Sequence, residues 1–231
     1  MPMPDAQHIR GSRFPRPVHA VVGVVMGVAV ASLPAAAWGM ADPVYPPLFG
    51  TNEVRSTNLA PFPKWTGVLD RYFAEVDLAQ GACGAETFNA CHLRDWTRFL
   101  EGLRGADAMT QLERVNRYMN RAPYITDPRN YNVDDYWATP RQFFGRDGDC
   151  EDYAIAKFMS LRALGWDNDH MRIVVLKDLN LDIAHAVLVV YRDGLAWVLD
   201  NQIGEVVAAD RIRHYRPYYS INEDSWWLHR P

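Results

Sequence analysis

Two apolar runs joined by Asp193-Gly194 constrain the fold of this chain more than any other segment. The runs cover residues 183–191 and 196–200 and read IAHAVLVVY and AWVLD. An Asp-Gly pair between such runs is a strong signal for a two-residue hairpin turn. With this turn, Arg192 pairs with Leu195 and Val190 with Trp197. The segment therefore predicts two antiparallel strands in a defined register.

The same register brings a histidine and an aspartate together. Side chains alternate between the two faces of a strand, so His185 and Asp200 share a face as diagonal neighbours, about 7–8 Å apart at the backbone and within side-chain reach. A slip of one residue would separate them. A histidine in an apolar strand is commonly packed in a core, and an aspartate ending a strand commonly forms a turn. The pair therefore indicates a catalytic site only if a third reactive group lies beside it.

The third group is a cysteine at the start of a predicted helix. The segment 145–165 reads GRDGDCEDYAIAKFMSLRALG, with apolar residues at helical spacing after Cys150 and Gly165 as the stop. A helix N-terminus lowers the pKa of a cysteine thiol. Cys150 as nucleophile, His185 as general base and Asp200 as the acid that orients the imidazole make up a thiol-catalysis triad.

An acyl-transfer site also needs donors for the developing oxyanion. The backbone amide of Cys150 is one candidate, and the side chains of Trp137 and Gln142, just upstream, are candidates for a second.

Acidic residues surround Cys150 and oppose this chemistry, because their charge disfavours a thiolate. They are Asp147, Asp149, Glu151 and Asp152. Carboxylate oxygens in a loop are the ligands that Ca²⁺ prefers, and a bound cation would cancel the repulsion. In the alternative interpretation, the acids only cap the helix N-terminus, with Asp149 as the N-cap residue.

The rest of the chain predicts an α+β domain. Apolar residues recur at helical spacing in 64–76, 91–105 and 108–125, where Pro123 closes the third helix. Further strands are predicted at 171–176 and 205–209, which makes the sheet an antiparallel meander after the cysteine-headed helix. The formal net charge of −4 provides no basic face for nucleic acid.

The N-terminus reads as an export signal. Arginines at 10, 13 and 16 precede the uncharged apolar run 18–33, and small residues follow. We therefore predict a signal peptide at 1–41, cleaved after Ala37 or Ala41, an extended lead-in at 42–63 and one domain at 64–231. The run is shorter than the about 20 residues of a spanning helix, although an uncleaved membrane anchor is the alternative.

The cysteine count fits an exported protein with one odd thiol. Of the three cysteines, Cys83 and Cys91 are close in sequence and could form a disulfide, which leaves Cys150 as the odd thiol. Two free thiols are the alternative. A metal site formed by Cys83, Cys91 and His92 would lack the fourth ligand and the short spacing of a zinc site.

The motifs GDCEDYAIAKFMSLRALG, AHAVLVV and WVLDNQ resemble the bacterial transglutaminase-like cysteine proteinases, the LapG-like family. The resemblance runs from FGTNEVRSTNLAPFPKW to PYYSINEDSWW, nearly all of the predicted mature chain. It implies a papain/transglutaminase-like core, with N-terminal helices and the cysteine-headed helix packed on an antiparallel sheet. It also implies Cys150, His185 and Asp200 as the triad, and calcium dependence through Asp149 and Glu151, with Asp152 and Asp147 as further ligands.

The resemblance further implies a periplasmic protease that cleaves the N-terminal region of a large surface adhesin near a pair of alanines and so releases cells from biofilm. The implied partner is the periplasmic domain of a membrane cyclic-di-GMP receptor, which sequesters the protease. Two other functions compete with it: acyl transfer or cell-wall amide hydrolysis by the same triad, and a non-catalytic binding module. An intact triad argues against the module.

Overall fold

The computed structural model describes residues 45–75 and 90–231, without the side chains of residues 90 and 91. The predicted signal peptide and its cleavage sites lie outside the described residues, as do Cys83 and the Cys91 side chain and therefore their predicted disulfide. The helices are α1 (Pro63–Glu75), α2 (Ala90–Glu101), α3 (Ala108–Met119), α4 (Asp127–Asn130), α5 (Pro140–Arg146) and α6 (Cys150–Ala163). Across the described part of the chain, no helix combines the length and the hydropathy needed to cross a membrane.

The strands form one antiparallel sheet of seven. They are β1 (Asn52–Ser56), β2 (Met171–Asp178), β3 (Ile183–Arg192), β4 (Leu195–Leu199), β5 (Val207–Ala208), β6 (Tyr215–Ile221) and β7 (Trp226–Arg230), with short 3₁₀ turns at Leu48–Gly50, Asn168–His170 and Ala209–Arg211. The order across the sheet is β1-β7-β6-β2-β3-β4-β5. The predicted meander is confirmed for β2 to β5, but it is incomplete, because β6 returns to the free side of β2 and the lead-in supplies β1.

The predicted hairpin register is confirmed. Arg192 pairs with Leu195 and Val190 with Trp197, and Asp193 and Gly194 both have positive φ, as a tight turn of this kind requires.

Helix α6 lies at the centre of the domain, since β2 and β3 cover it on one side and α3 and α5 on the other. Its apolar residues Ile155, Phe158 and Leu161 belong to the main core. Burial extends around the helix and takes in Lys157 and Ser160 as well. A buried polar group is costly unless it finds a partner. Ser160 finds two, because its Oγ donates to the Ala156 carbonyl and accepts from Trp96 Nε1 at 2.9 Å.

Candidate active site

The residues predicted as base and orienting acid are in contact. Nε2 of His185, on β3, donates to Oδ1 of Asp200 at 2.9 Å, and both side chains are buried. Asp200 follows β4 directly, so the hairpin register brings the two together. The bond to Nε2 fixes the imidazole tautomer with its proton on that atom and leaves Nδ1 as the acceptor nitrogen. Gln202 Nε2 lies 3.5 Å from Nδ1.

Asp200 has further partners that fix its carboxylate. The amide N–H of Gln202 donates to Oδ1 at 2.8 Å, and the Tyr215 hydroxyl donates to Oδ2 at 2.5 Å. Burial raises the pKa of Asp200, but its hydrogen bonds and the charge of His185 outweigh that effect, so its pKa lies below the usual value. Asp200 is therefore set up as a stable anion. Sequence analysis missed Tyr215, since β6 is not predicted.

Cys150 is the first residue of α6, as predicted, and it is partly buried and free. A hydrogen bond from the backbone of Ala186, the neighbour of His185 on β3, acts on the thiol and favours the thiolate. The helix N-terminus therefore brings the sulfur to the strand that carries the predicted base.

The acids beside the thiol disfavour the thiolate. Burial, and then the charge and hydrogen bond of Glu151, raise the pKa of Cys150 well above its usual value, and Asp149 adds to this. The thiol donates to Glu151 Oε2 at 3.2 Å. Burial, together with the charges of Asp149 and Asp152, raises the pKa of Glu151 to about 9. When no positive charge offsets these carboxylates, the thiol stays protonated at neutral pH.

The acids form a compact cluster that is larger than predicted. In one group, carboxylate oxygens of Asp127, Asp135 and Glu151 lie within 4.8 Å of one another, and Asp127, Asp149 and Asp152 form a second group with the same spacing. The three predicted ligands Asp149, Glu151 and Asp152 are thus brought together. Asp147, the further candidate, belongs to neither group; it ends α5 with φ 60°.

Three oxygens of this cluster are buried without a hydrogen-bond partner among the described residues, namely Asp127 Oδ1, Asp149 Oδ1 and Asp152 Oδ2. The other oxygens of Asp127 and Asp152 accept the amides of Tyr136 at 2.5 Å and Ala138 at 2.7 Å. Burial raises the pKa of each of these three acids. These unpartnered oxygens lie close together and accept no hydrogen bond from the backbone. Such a set of oxygen ligands fits a hard divalent cation such as Ca²⁺.

The helix-cap interpretation does not account for Asp149. This residue occupies the N-cap position of α6, but its side chain makes no capping hydrogen bond. Its Oδ2 instead accepts the amide of Asp127 at 3.3 Å. Asp149 is therefore directed toward the acidic cluster.

The two candidates for a second oxyanion donor are engaged elsewhere. Gln142 forms a capping box with Thr139 at the start of α5, and its Nε2 donates to the Tyr136 hydroxyl at 2.8 Å. The indole of Trp137 packs in the main core beside Trp65. The Cys150 amide, at the first position of α6, remains the predicted donor.

Fold and site together define the class of the protein. A cysteine-headed helix packed on an antiparallel sheet, beside a buried His–Asp pair, is the arrangement of the papain/transglutaminase-like cysteine enzymes.

Comparison with known proteins gives the family within that class. The model of the family described as bacterial transglutaminase-like cysteine proteinase matches residues 83–228. Among solved structures, Legionella pneumophila LapG is 31% identical, covers 70% of this chain and 87% of its own, and superposes with a TM-score of 0.56. The chain belongs to the bacterial transglutaminase-like cysteine proteinase family, and the LapG-like resemblance predicted from its motifs is confirmed.

Two further Legionella structures are similar to this chain. Calcium-bound LapG is 31% identical over 71% of this chain and 86% of its own, with a TM-score of 0.56. EGTA-treated LapG is 30% identical over the same shares, with a TM-score of 0.57. A comparison with curated proteins gave no match.

Proposed function

We propose that this chain is a calcium-dependent cysteine endopeptidase that uses Cys150, His185 and Asp200. The observation that carries the proposal is the 2.9 Å contact between His185 Nε2 and Asp200 Oδ1 beside the cysteine that begins α6. The contact requires a defined register, a defined tautomer and a buried anion, and a non-catalytic domain needs none of these. Membership in a cysteine proteinase family supports the reaction class.

In the proposed reaction, Nδ1 of His185 takes the Cys150 proton, and the sulfur attacks the carbonyl carbon of the substrate peptide bond. Asp200 stabilises the imidazolium that forms. The imidazolium then gives its proton to the leaving amine, and the C–N bond breaks. Water activated by the same nitrogen hydrolyses the thioester, and Cys150 returns to its starting state.

Calcium is proposed because the acidic cluster fits it and because the similar Legionella LapG has been solved with calcium bound. The residues that would hold it are Asp127, Asp135, Asp149, Glu151 and Asp152. When bound, the ion supplies positive charge that offsets the acids beside the thiol. Glu151 would then release the thiol hydrogen bond, since a carboxylate that binds a cation is a weaker acceptor.

The proposed substrate is the N-terminal region of a large surface adhesin, and the proposed partner is the periplasmic domain of a membrane cyclic-di-GMP receptor. Support comes from the family resemblance. The proposed periplasmic location is supported by the arginines and the apolar run of residues 10–33. Mass spectrometry of the exported chain should find the N-terminus after Ala37 or Ala41. Retention of residues 1–37 would favour a membrane anchor.

The test is cleavage of an adhesin N-terminal fragment from the same genome, with calcium and with chelator, by the wild type and Cys150→Ala. Cleavage at a small-residue site that requires both calcium and Cys150 would support every part of the proposal. Cleavage that continues at the same rate in chelator would show that the activity does not depend on calcium. If the fragment stays intact while a labelled primary amine is coupled to protein glutamines, the triad performs acyl transfer instead.

A further inference from the structure

Helix α3 contacts the loop that carries Asp200 through two amide side chains. Asn120 Nδ2 donates to the backbone carbonyl of Asp200 at 2.7 Å. One turn earlier, Asn116 Nδ2 donates to the carbonyls of Ile203 at 3.3 Å and Gly204 at 3.2 Å. Residues four apart lie on the same face of a helix. One face of α3 therefore holds both ends of the segment 200–204.

A buried lysine on α6 interacts electrostatically with the same carboxylate. Lys157 follows Cys150 by two turns of α6 and is fully buried, and its Nζ has no hydrogen-bond partner among the described residues. Burial lowers its pKa to about 7, while the charge of Asp200 acts to raise it. The ammonium also lies 5.9 Å from the ring centroid of Tyr153.

Several buried polar atoms in this part of the fold have no hydrogen-bond partner among the described residues. Lys157 has three N–H donors, and the Oδ1 atoms of Asn116, Asn120 and Asn201 are buried acceptors without a partner among the described residues. Polar atoms in a core cost stability that apolar residues of similar volume would not. Packing alone therefore does not explain why two buried amides bond the loop of the orienting acid.

We propose that Asn116 and Asn120 are positioning residues that hold Asp200 against His185. The amides fix the backbone of the 200–204 loop, so that the carboxylate keeps its 2.9 Å contact with the imidazole. The inference rests on the proposed triad, because its effect reaches the substrate only through Asp200 and His185.

The test compares Asn120→Ala with Gln111→Ala. Gln111 is a buried amide on the same helix that bonds Leu103 and Trp166 but not the 200–204 loop. The first readout is the rate of Cys150 alkylation by iodoacetamide in calcium, corrected for the folded fraction, with Asp200→Asn as the reference. The second is the downfield NMR resonance of the His185 proton shared with Asp200.

We expect Asn120→Ala to slow alkylation by about fivefold or more and to shift or broaden the proton resonance. Gln111→Ala should stay within about twofold of the wild type and keep the resonance, even where both variants lose thermal stability. If the two variants behave alike, the proposal is overturned. If Asp200→Asn alkylates at the wild-type rate, the proposed triad fails and this inference fails with it.

Two further variants cover the case in which Asn120→Ala does not fold. Asn116→Ala removes the other amide and should slow alkylation in the same direction. Asn120→Leu keeps most of the side-chain volume but removes the N–H donor to the Asp200 carbonyl, so it should also slow alkylation. Wild-type alkylation rates in both variants would overturn the proposal.

Discussion

The Tyr215 hydroxyl donates a 2.5 Å hydrogen bond to Oδ2 of Asp200, while Oδ1 of the same carboxylate accepts from His185. Tyr215 begins β6, and the aromatic ring also meets the imidazole edge to face, with centroids 6.0 Å apart. One tyrosine therefore restrains both members of the pair. It prevents rotation of the carboxylate, which would misalign the acceptor of the imidazole proton.

Tyr215→Phe should weaken both stability and reactivity. A buried hydrogen bond to a charged group contributes about 2 kcal/mol, and the loss raises the pKa of Asp200. We expect Cys150 alkylation to slow by about tenfold, equivalent to about 1.4 kcal/mol. Tyr218→Phe, on the same strand but half exposed, is the control. Equal alkylation rates in the two variants would mean that His185 and Gln202 hold Asp200 without the tyrosine.

Gly148→Ala should disrupt the acidic cluster through a steric effect. A Cβ at this position would lie 2.2 Å from Asp152 Oδ2, which is far inside contact distance. The Asp152 carboxylate would have to move away from Asp127 and Asp149. We expect calcium affinity, measured by titration calorimetry, to fall by about tenfold or more, a loss of about 1.4 kcal/mol.

The control for this variant is Gly204→Ala, because a Cβ there would meet nothing within 4 Å. Its calcium affinity should match the wild type. Unchanged affinity in Gly148→Ala would show that Asp152 is not a ligand.

Calcium should raise the melting temperature, and Asp127→Asn should reduce that response. A ligand at 100 times its dissociation constant adds about 2.7 kcal/mol of stability. In chelator the variant should melt at the same temperature as the wild type or higher, because the pKa of the buried Asp127 is raised by burial and by its acidic neighbours. The measurement is a pair of thermal melts, with calcium and with EGTA.

Asp134→Asn makes the same charge change at an exposed neighbouring position outside the cluster. It should keep the full calcium response. A wild-type response in Asp127→Asn would exclude Asp127 as a ligand.

Lys157→Met should stabilise the protein in a pH-dependent way. The folded-state pKa of Lys157 is about 7, against an ordinary 10.5. Between these values the unfolded chain binds a proton that the folded chain does not, so wild-type stability rises with pH across this window. The variant lacks this pH-dependent contribution to stability. We expect it to exceed the wild type by up to about 5 kcal/mol at pH 6 and by less at pH 9.

Urea denaturation at the two pH values measures the difference. A stability difference between variant and wild type that is the same at pH 6 and pH 9 would mean that Lys157 does not titrate between these pH values. A variant that is less stable at both pH values would mean that the ammonium is fully compensated in the fold.

Local patterns were sufficient to predict the elements that carry the proposed triad. The Asp-Gly turn set the hairpin register, and helical spacing after Cys150 set the start of α6, because both depend on residues adjacent in sequence. Strand β6 was missed for a physical reason. Pro217 interrupts its pattern, and the structure accommodates it where the pairing of β2 with β6 shifts register, between Val175 and Leu176.

The sequence by itself determined the antiparallel hairpin, the contact of His185 with Asp200 and the acids beside Cys150, since strand alternation and turn chemistry act over a few residues. Only the tertiary structure brought Asp127 and Asp135 to Glu151, Tyr215 to the Asp200 carboxylate, and Asn120 to the backbone carbonyl of Asp200. These contacts join segments far apart in sequence, and they follow from how α3, α6, β6 and the segment from α4 to α5 pack. Short-range periodicity contains no information about that packing.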